Sequence, residues 1–221
     1  MSPAIQMLLF NALQDTIYMV GVSGFLATLF GIPLGIVLTV TSQGGLAQNL
    51  FLNRVLAFIV NAARSTPFII LMVAIIPLTR MIVGTSIGNT AAIVPLTLAA
   101  MPFMGRVAEV ALREVDGGVV EASQAMGATP FQIVFRVLLP EALPSIVAGV
   151  TLMLVSLVGF SAIAGNLGAG GLGKVAIDFG HQRFMPNVLA ATVVILIVLV
   201  QAVQGVGDTI VRLIRKRRGI K

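Results

Sequence analysis

The sequence predicts an all-α integral membrane protein with five transmembrane helices. Of its 221 residues, 57% are apolar and only 10% are charged, whereas soluble domains carry about 25% charged residues. The mean hydropathy is +1.04, and the apolar residues form several runs near the length of about 20 residues that a helix needs to cross a bilayer. Since the chain has no cysteine, the same composition excludes a disulfide-stapled secreted scaffold, a disordered chain and most soluble enzymes.

The N-terminal part predicts one clean membrane span. Residues 1–16 contain no Lys or Arg, so they lack the cationic region of a cleaved signal peptide and are interpreted as an extracytoplasmic N-terminus. Residues 17–40 are free of charge and form the first predicted span, which ends in the polar, glycine-containing stretch 42–53.

The second span is less regular, and we place it at residues 66–83. Thr66 is a good helix N-cap and Pro67 suits the first helical position, while Arg80 lies near the far end. The preceding residues 55–63 are interpreted as an interfacial or tilted lead-in.

Three further apolar runs predict spans at residues 88–108, 144–164 and 188–206, followed by a basic tail at 212–221. Prolines in or beside these runs are tolerated in membrane helices when neighbouring groups satisfy the freed carbonyls.

The cations predict the orientation of the five spans. Eleven lie on one face: Arg54, Arg64, Arg106, Arg113, Arg136, Arg212, Arg215, Lys216, Arg217, Arg218 and Lys221. Three lie on the other: Arg80, Lys174 and Arg183. Because cytoplasmic loops are rich in Lys and Arg, the N-terminus is predicted outside and the C-terminus in the cytoplasm. The basic tail would also be attracted to anionic lipid headgroups. The cations are too scattered along the chain to form a groove that binds nucleic acid.

The longest predicted cytoplasmic segment, residues 110–143, contains two strong helix starts. Asp116 can cap a helix that Gly127 ends in the left-handed conformation. Thr129, followed by proline and then Gln132, predicts a capping box. Pro140 and Pro144 are expected to break the chain again before span four. Two interpretations follow: an amphipathic linker on the membrane surface, or a rigid docking element for a cytoplasmic partner, which its small residues favour.

Several motifs resemble those of ABC importer permeases of the binding-protein-dependent type I family. Glu121-Ala122-Ser123, then Gly127, then Leu139-Pro140 looks like the EAA motif of that family, with Ser123 as a small-for-small departure. Arg64-Ser-Thr-Pro67 is similar to the Arg-Gly-Thr-Pro of amino-acid importer permeases. The sum of RSTPFII, IVPLT, EASQAMGATPFQIV, VLLPEALP and GAGGLG looks most like the permeases for methionine. The resemblance covers about residues 10–215.

The resemblance implies a type I ABC importer permease fold over residues 17–211 with a cytoplasmic coupling helix. It also implies a homodimer in the bacterial inner membrane that binds two cytoplasmic ATPase subunits and an extracytoplasmic, often lipid-anchored, binding protein. ATP and Mg²⁺ would bind only to the ATPase. The residues carried over by position to the coupling region are Glu121, Ala122, Ser123, Gly127, Ala128, Thr129 and Pro130.

Two other features could suggest a phosphate-binding loop and a metal site, but each has a simpler interpretation. The run from Gly168 to Val175 nearly matches a phosphate-binding loop, yet Val175 lacks the hydroxyl that holds Mg²⁺ and no strand precedes it. The glycines more simply allow a tight turn or close packing. His181 has no second histidine or cysteine nearby to form a metal site. It is interpreted as a solvated loop residue, with contact to a binding protein as the alternative.

Span four carries a stripe at helical spacing: Met153, Ser156, Phe160 and Ile163. The stripe is consistent with packing between membrane helices, where serine is common, and equally with the lining and gate of a translocation path at a dimer axis.

The leading hypothesis is a permease for methionine, whose substrate is D-methionine, L-methionine or both. Alternatives are a permease for another amino acid, a secondary transporter or channel, and a scaffold without transport. Secondary transporters usually bury ionisable residues near the membrane midplane, and the spans offer few.

Overall fold

The structure is a computed structural model that describes residues 2–217, so Met1 and the last four residues of the predicted basic tail lie outside the described residues. Within residues 2–217 the chain forms helices and no β-strand. Four of these helices are long and apolar enough to cross a membrane, and there are five spans if the bent pair Leu50–Ser65 and Phe68–Ala74 is counted as one. The predicted all-α membrane fold is confirmed.

The first helix, α1 (Pro3–Thr41), begins well before the predicted span. Pro3 occupies its first turn, where a missing N–H costs nothing, and no helix-breaking residue follows until Pro33. The N-terminal residues are therefore a helical extension of the first span. Asp15 is the one charged residue of α1, and it does not interrupt the helix before residue 17.

The predicted second span, residues 66–83, consists of two short helices, α3 (Phe68–Ala74) and α4 (Ile76–Val83). It is preceded by α2 (Leu50–Ser65), which contains the predicted lead-in. α2 and α3 meet at a bend of 105°. The prediction that Thr66 caps the following helix is wrong, because its hydroxyl donates backwards to the Ala62 carbonyl (3.1 Å). Pro67 holds Thr66 in an extended conformation, so α2 must end there, and the hydroxyl satisfies one of its unpaired carbonyls.

The centre of the bundle is α5 (Asn89–Arg113), which packs along α1. The two helices approach closely because Gly31 and Gly35 on α1 face Met104 and Ala108 on α5. A Cβ atom at Gly35 would lie only 2.6 Å from the Gly105 carbonyl oxygen. Small residues at four-residue spacing allow such backbone approach in membranes.

A short loop joins α5 to α6 (Gly117–Ala125), and α7 (Pro130–Ile133) follows. α7 continues through a π-helical segment (Val134–Leu138) into α8 (Leu139–Asn166). The expected breaks at Pro140 and Pro144 are wrong, since residues 130–166 form one continuous helical rod. Pro140 enters in the first turn of α8, directly after the wider hydrogen-bond register of the π-helical segment, and neither proline ends the helix.

After α8 come the short α9 (Leu172–Val175), a π-helical segment (Ala176–Gln182) and α10 (Pro186–Arg217). α8 packs between α5 and α10, and α1 contacts both α5 and α8. The bundle thus has two ends. We call the end that carries α6 the α6 end, and the opposite end, with residues 165–173, the glycine end.

Candidate functional site

The α6 segment (residues 116–132) is an ordered protrusion whose local geometry matches the sequence prediction. The Asp116 carboxylate accepts from the Gly118 backbone N–H (2.6 Å) and caps α6. Gly127 has φ +80°. Its N–H donates to the Gln124 carbonyl, and the Ala128 N–H donates to the Ser123 carbonyl. This pattern is a Schellman motif, which requires a left-handed residue at the Gly127 position.

The predicted capping box is also present at the start of α7. The Gln132 backbone N–H donates to the Thr129 hydroxyl (3.3 Å), and the Thr129 N–H donates to the Gln132 side-chain oxygen (2.9 Å). The turn between α6 and α7 is therefore fixed at both ends by local hydrogen bonds.

The residues predicted to couple to an ATPase differ in exposure. Exposed are Glu121, Ala122, Gly127, Thr129 and Pro130. Ala128 is half-buried, and Ser123 is buried with its hydroxyl donating to the Val119 carbonyl (2.7 Å). Serine at this position is thus satisfied within the helix and is not available at the surface.

The sequence analysis missed the large apolar side chains around the protrusion. Met126 is 81% exposed and Phe131 is 71% exposed. The Phe131 ring packs on Phe135 with centroids 4.4 Å apart. Exposed apolar side chains that lie together are typical of a contact surface.

The span-four stripe lines a cavity over most of its length. Met153, Ser156 and Phe160 border a cavity of about 210 Å³, while Ile163 does not. The other lining residues are Ala63, Arg64, Thr66, Phe68, Ala99, Ala100, Phe103 and Leu157. We call this space the upper cavity. The structure therefore groups three of the four predicted path residues at one space and leaves the fourth outside it.

The α2–α3 bend supplies the opposite wall of the upper cavity, which periodicity on span four could not reveal. The rings of Phe68 and Phe160 stack with centroids 4.8 Å apart and an interplanar angle of 15°. The motif Arg64–Pro67 was the available signal, since it marks the bend that turns these residues towards α8.

A second, open cleft of about 430 Å³ follows towards the α6 end and is called the lower cleft. Its ionisable residues are Arg64, Arg106, Glu114 and Arg215. Arg64 and Phe103 border both the upper cavity and the lower cleft, so the two spaces meet at these side chains.

Glu109 is the buried acid of the α6 end. It is 2% exposed. Its two carboxylate oxygens accept from Arg106 (2.6 Å) and Arg113 (2.7 Å), one turn away on either side. A carboxylate at a charged helix end is ordinarily solvated, but this one is enclosed. α1 passes close to it, since a Cβ atom at Gly35 would lie 2.9 Å from the Glu109 backbone nitrogen.

The glycine end is tightly packed, as expected for its run of glycines. The Gly170 N–H donates to the Asn89 side chain (2.7 Å), and the Leu172 N–H donates to the Thr16 hydroxyl (2.9 Å). A Cβ atom at Gly173 would overlap the Ala162 backbone. Two N–H groups that a phosphate-binding loop would use are thus engaged within the chain.

His181 is exposed, as predicted, but it lies in the π-helical segment and not in a loop. Among residues 2–217 no group of three or more His, Asp or Glu side chains is placed to hold a metal ion.

A family match, curated relatives and a solved structure all relate this chain to membrane components of transport systems. Residues 31–219 match the family described as "Binding-protein-dependent transport system inner membrane component". A "Probable D-methionine transport system permease protein MetI" of Vibrio cholerae is 56% identical over 95% of this chain and 93% of its own. A "Methionine import system permease protein MetP" of Bacillus subtilis is 42% identical, over 95% of this chain and 94% of its own. A solved structure of the "MetNI methionine ABC transporter" in inward-facing conformations is 49% identical, with a TM-score of 0.95 over 97% of this chain and 99% of that one.

Proposed function

Since this chain belongs to the family of inner membrane components of binding-protein-dependent transport systems, we propose that it is the membrane-spanning permease of an ATP-driven importer that carries methionine into the cytoplasm. The observation that supports methionine as the substrate is the high sequence identity, over nearly the whole chain, to relatives named for methionine transport. The chain is a permease subunit and not an enzyme; ATP hydrolysis belongs to partner subunits.

We propose the α6 segment as the contact with the ATPase subunits. Its support is physical: a turn fixed by the Schellman motif and the capping box, with exposed Met126 and Phe131 beside the small Ala122. A rigid protrusion can transmit a push without deforming. A partner that binds one conformation better than another shifts the permease towards it.

The upper cavity and lower cleft are proposed as one half of the translocation path. Ser156 is exposed on the single chain although it lies well inside the apolar helix α8. A second copy of this chain would complete the path on that open side, which fits the predicted homodimer. The α6 end is proposed to face the cytoplasm, since Arg64, Arg106, Arg113 and Arg215 gather there and cytoplasmic faces are rich in cations. A substrate-binding protein would then dock at the glycine end.

The decisive test is uptake by the reconstituted importer. The permease, its co-purified ATPase and the cognate binding protein are placed in proteoliposomes, and ATP-dependent uptake of labelled L-methionine, D-methionine and other amino acids is compared. We expect methionine uptake to reach saturation at a lower substrate concentration than uptake of the other amino acids. The proposal fails if no ATPase co-purifies and if replacing Glu121 or Gly127 leaves uptake unchanged.

A permease for a different amino acid is the second candidate. The same competition experiment separates it, because uptake of another amino acid would then exceed methionine uptake at equal concentrations. A secondary transporter would carry substrate without ATP in the same proteoliposomes.

A further inference from the structure

The cation of the translocation path stands at the junction of its two spaces. Arg64 borders both the upper cavity and the lower cleft. Among the residues that line the upper cavity it is the one ionisable side chain. Any solute that moves between the two spaces therefore passes this guanidinium.

The rest of the upper cavity is apolar with two hydroxyls. Met153, Leu157, Phe68 and Phe160 form the walls, and Ser156 adds a polar group. The Ser156 hydroxyl already donates to the Leu152 carbonyl (3.0 Å), and the Thr66 hydroxyl to the Ala62 carbonyl (3.1 Å). Both donors are therefore used by nearby backbone carbonyls. Arg64 is then the strongest hydrogen-bond donor that the cavity offers.

Nothing in the described part of the chain neutralises Arg64. The buried carboxylate of Glu109 is taken by Arg106 and Arg113, and the Glu114 carboxylate accepts from Ser145 (3.4 Å). Neither ion pair of Glu109 includes Arg64. Arg64 is exposed on the single chain, so its guanidinium is open to an anion, and its planar fork matches a carboxylate.

The helix dipole does not account for this placement. Arg64 lies in the last turn of α2, where a cation is favoured. That preference acts on any face of the last turn and is satisfied equally by lysine. It gives no reason for the side chain to stand at the junction of two cavities.

We propose that Arg64 binds the α-carboxylate of the amino acid in transit, while the apolar walls of the upper cavity hold its side chain. This inference rests on the proposed function and assigns a substrate-binding residue within it. Arg64 would release the carboxylate towards the lower cleft, where Arg215 is a further cation.

The test uses the reconstituted importer with Arg64→Lys, Arg64→Gln and Arg64→Glu. Arg54→Gln and Arg54→Glu are matched controls: Arg54 is exposed on the same helix and borders neither space. Replacing either arginine removes the same charge from the same predicted face, so effects on membrane orientation are equal. Labelled methionine uptake is normalised to the amount of permease that co-purifies with the ATPase.

Arg64→Gln is expected to lower uptake at least about tenfold, because a hydrogen bond to a charged group contributes about 1.5–3 kcal/mol. Arg64→Glu should lower it further and Arg64→Lys less, while both Arg54 variants match the wild type. If the wild type takes up methionine and Arg64→Gln takes up an equal amount, the assignment of Arg64 as a substrate-binding residue is overturned, while the proposed function stands. Loss of ATPase co-purification in all three Arg64 variants would also overturn it, since it would indicate a structural role. Absence of methionine uptake by the wild type would overturn both.

Discussion

The close contact between α1 and α5 gives a sharp prediction about Gly35. An added Cβ atom would lie 2.6 Å from the Ala108 Cβ, 2.6 Å from the Gly105 carbonyl oxygen and 2.9 Å from the Glu109 nitrogen. Ordinary contacts begin near 3.4 Å, so Gly35→Ala must separate α1 from α5 by several tenths of an ångström. Two of the opposing atoms belong to the α5 backbone and cannot turn aside as the end of a side chain can.

The expected cost follows from that distance. Overpacking a close contact destabilises by about 1–3 kcal/mol. For a chain of this length, each kcal/mol corresponds to a Tm shift of about 2–4 °C, so Gly35→Ala should lower Tm by about 2–12 °C. The assay is thermal loss of the monodisperse permease–ATPase complex in detergent.

Two glycines on the same helix provide controls. Gly21 has no atom within 4 Å of its built Cβ, so Gly21→Ala should leave Tm unchanged or raise it slightly through better helix propensity. Gly24 faces the end of the flexible Leu154 side chain, so Gly24→Ala should fall between the other two. If Gly35→Ala unfolds at the same temperature as Gly21→Ala, the inference that α1 and α5 depend on this close approach is refuted.

Three further changes test the site. Glu109→Gln should cost about 1–3 kcal/mol, measured as a lower Tm, because the amide keeps one acceptor oxygen but turns an NH₂ donor towards the second arginine in a buried site; an unchanged Tm would contradict this. Gly127→Ala should cost about 1–2 kcal/mol at φ +80° and reduce ATP-dependent uptake, while Gly127→Asn should lose less. Equal loss in both would argue against backbone strain. Phe160→Ala should lower uptake about two- to tenfold through loss of the ring stack. Ile163→Ala, outside the cavity, is its control and should match the wild type.

The α6 segment was predictable from sequence because its structure is local. The Asp116 cap, the left-handed Gly127 and the Thr129 capping box each depend on residues within five positions. Such hydrogen bonds form between chain neighbours, so residue types at fixed spacing are sufficient to predict them.

The features that sequence reasoning missed depend on distant parts of the chain. Glu109 lies at a charged helix end and is buried only because the glycines of α1 allow that helix to come close. The bend between α2 and α3 places Phe68 at the upper cavity, where its ring stacks on Phe160, a residue far away in sequence. The Pro140 prediction failed for a different reason: proline was weighed against a regular α-helix, whereas a π-helical segment precedes it.

The continuous rod from Pro130 to Asn166 also sets a limit on how the chain can vary in length. Its first residues adjoin the capping box of the α6 segment, and Phe160 lies about 45 Å further along at 1.5 Å per residue. One inserted or deleted residue between them would rotate the whole distal face by about 100°. Met153, Ser156 and Phe160 would then turn away from the upper cavity while the α6 segment stayed in place. Length changes should therefore be tolerated in the polar loop after α1 and rejected here, a constraint that a survey of viable insertions would reveal directly.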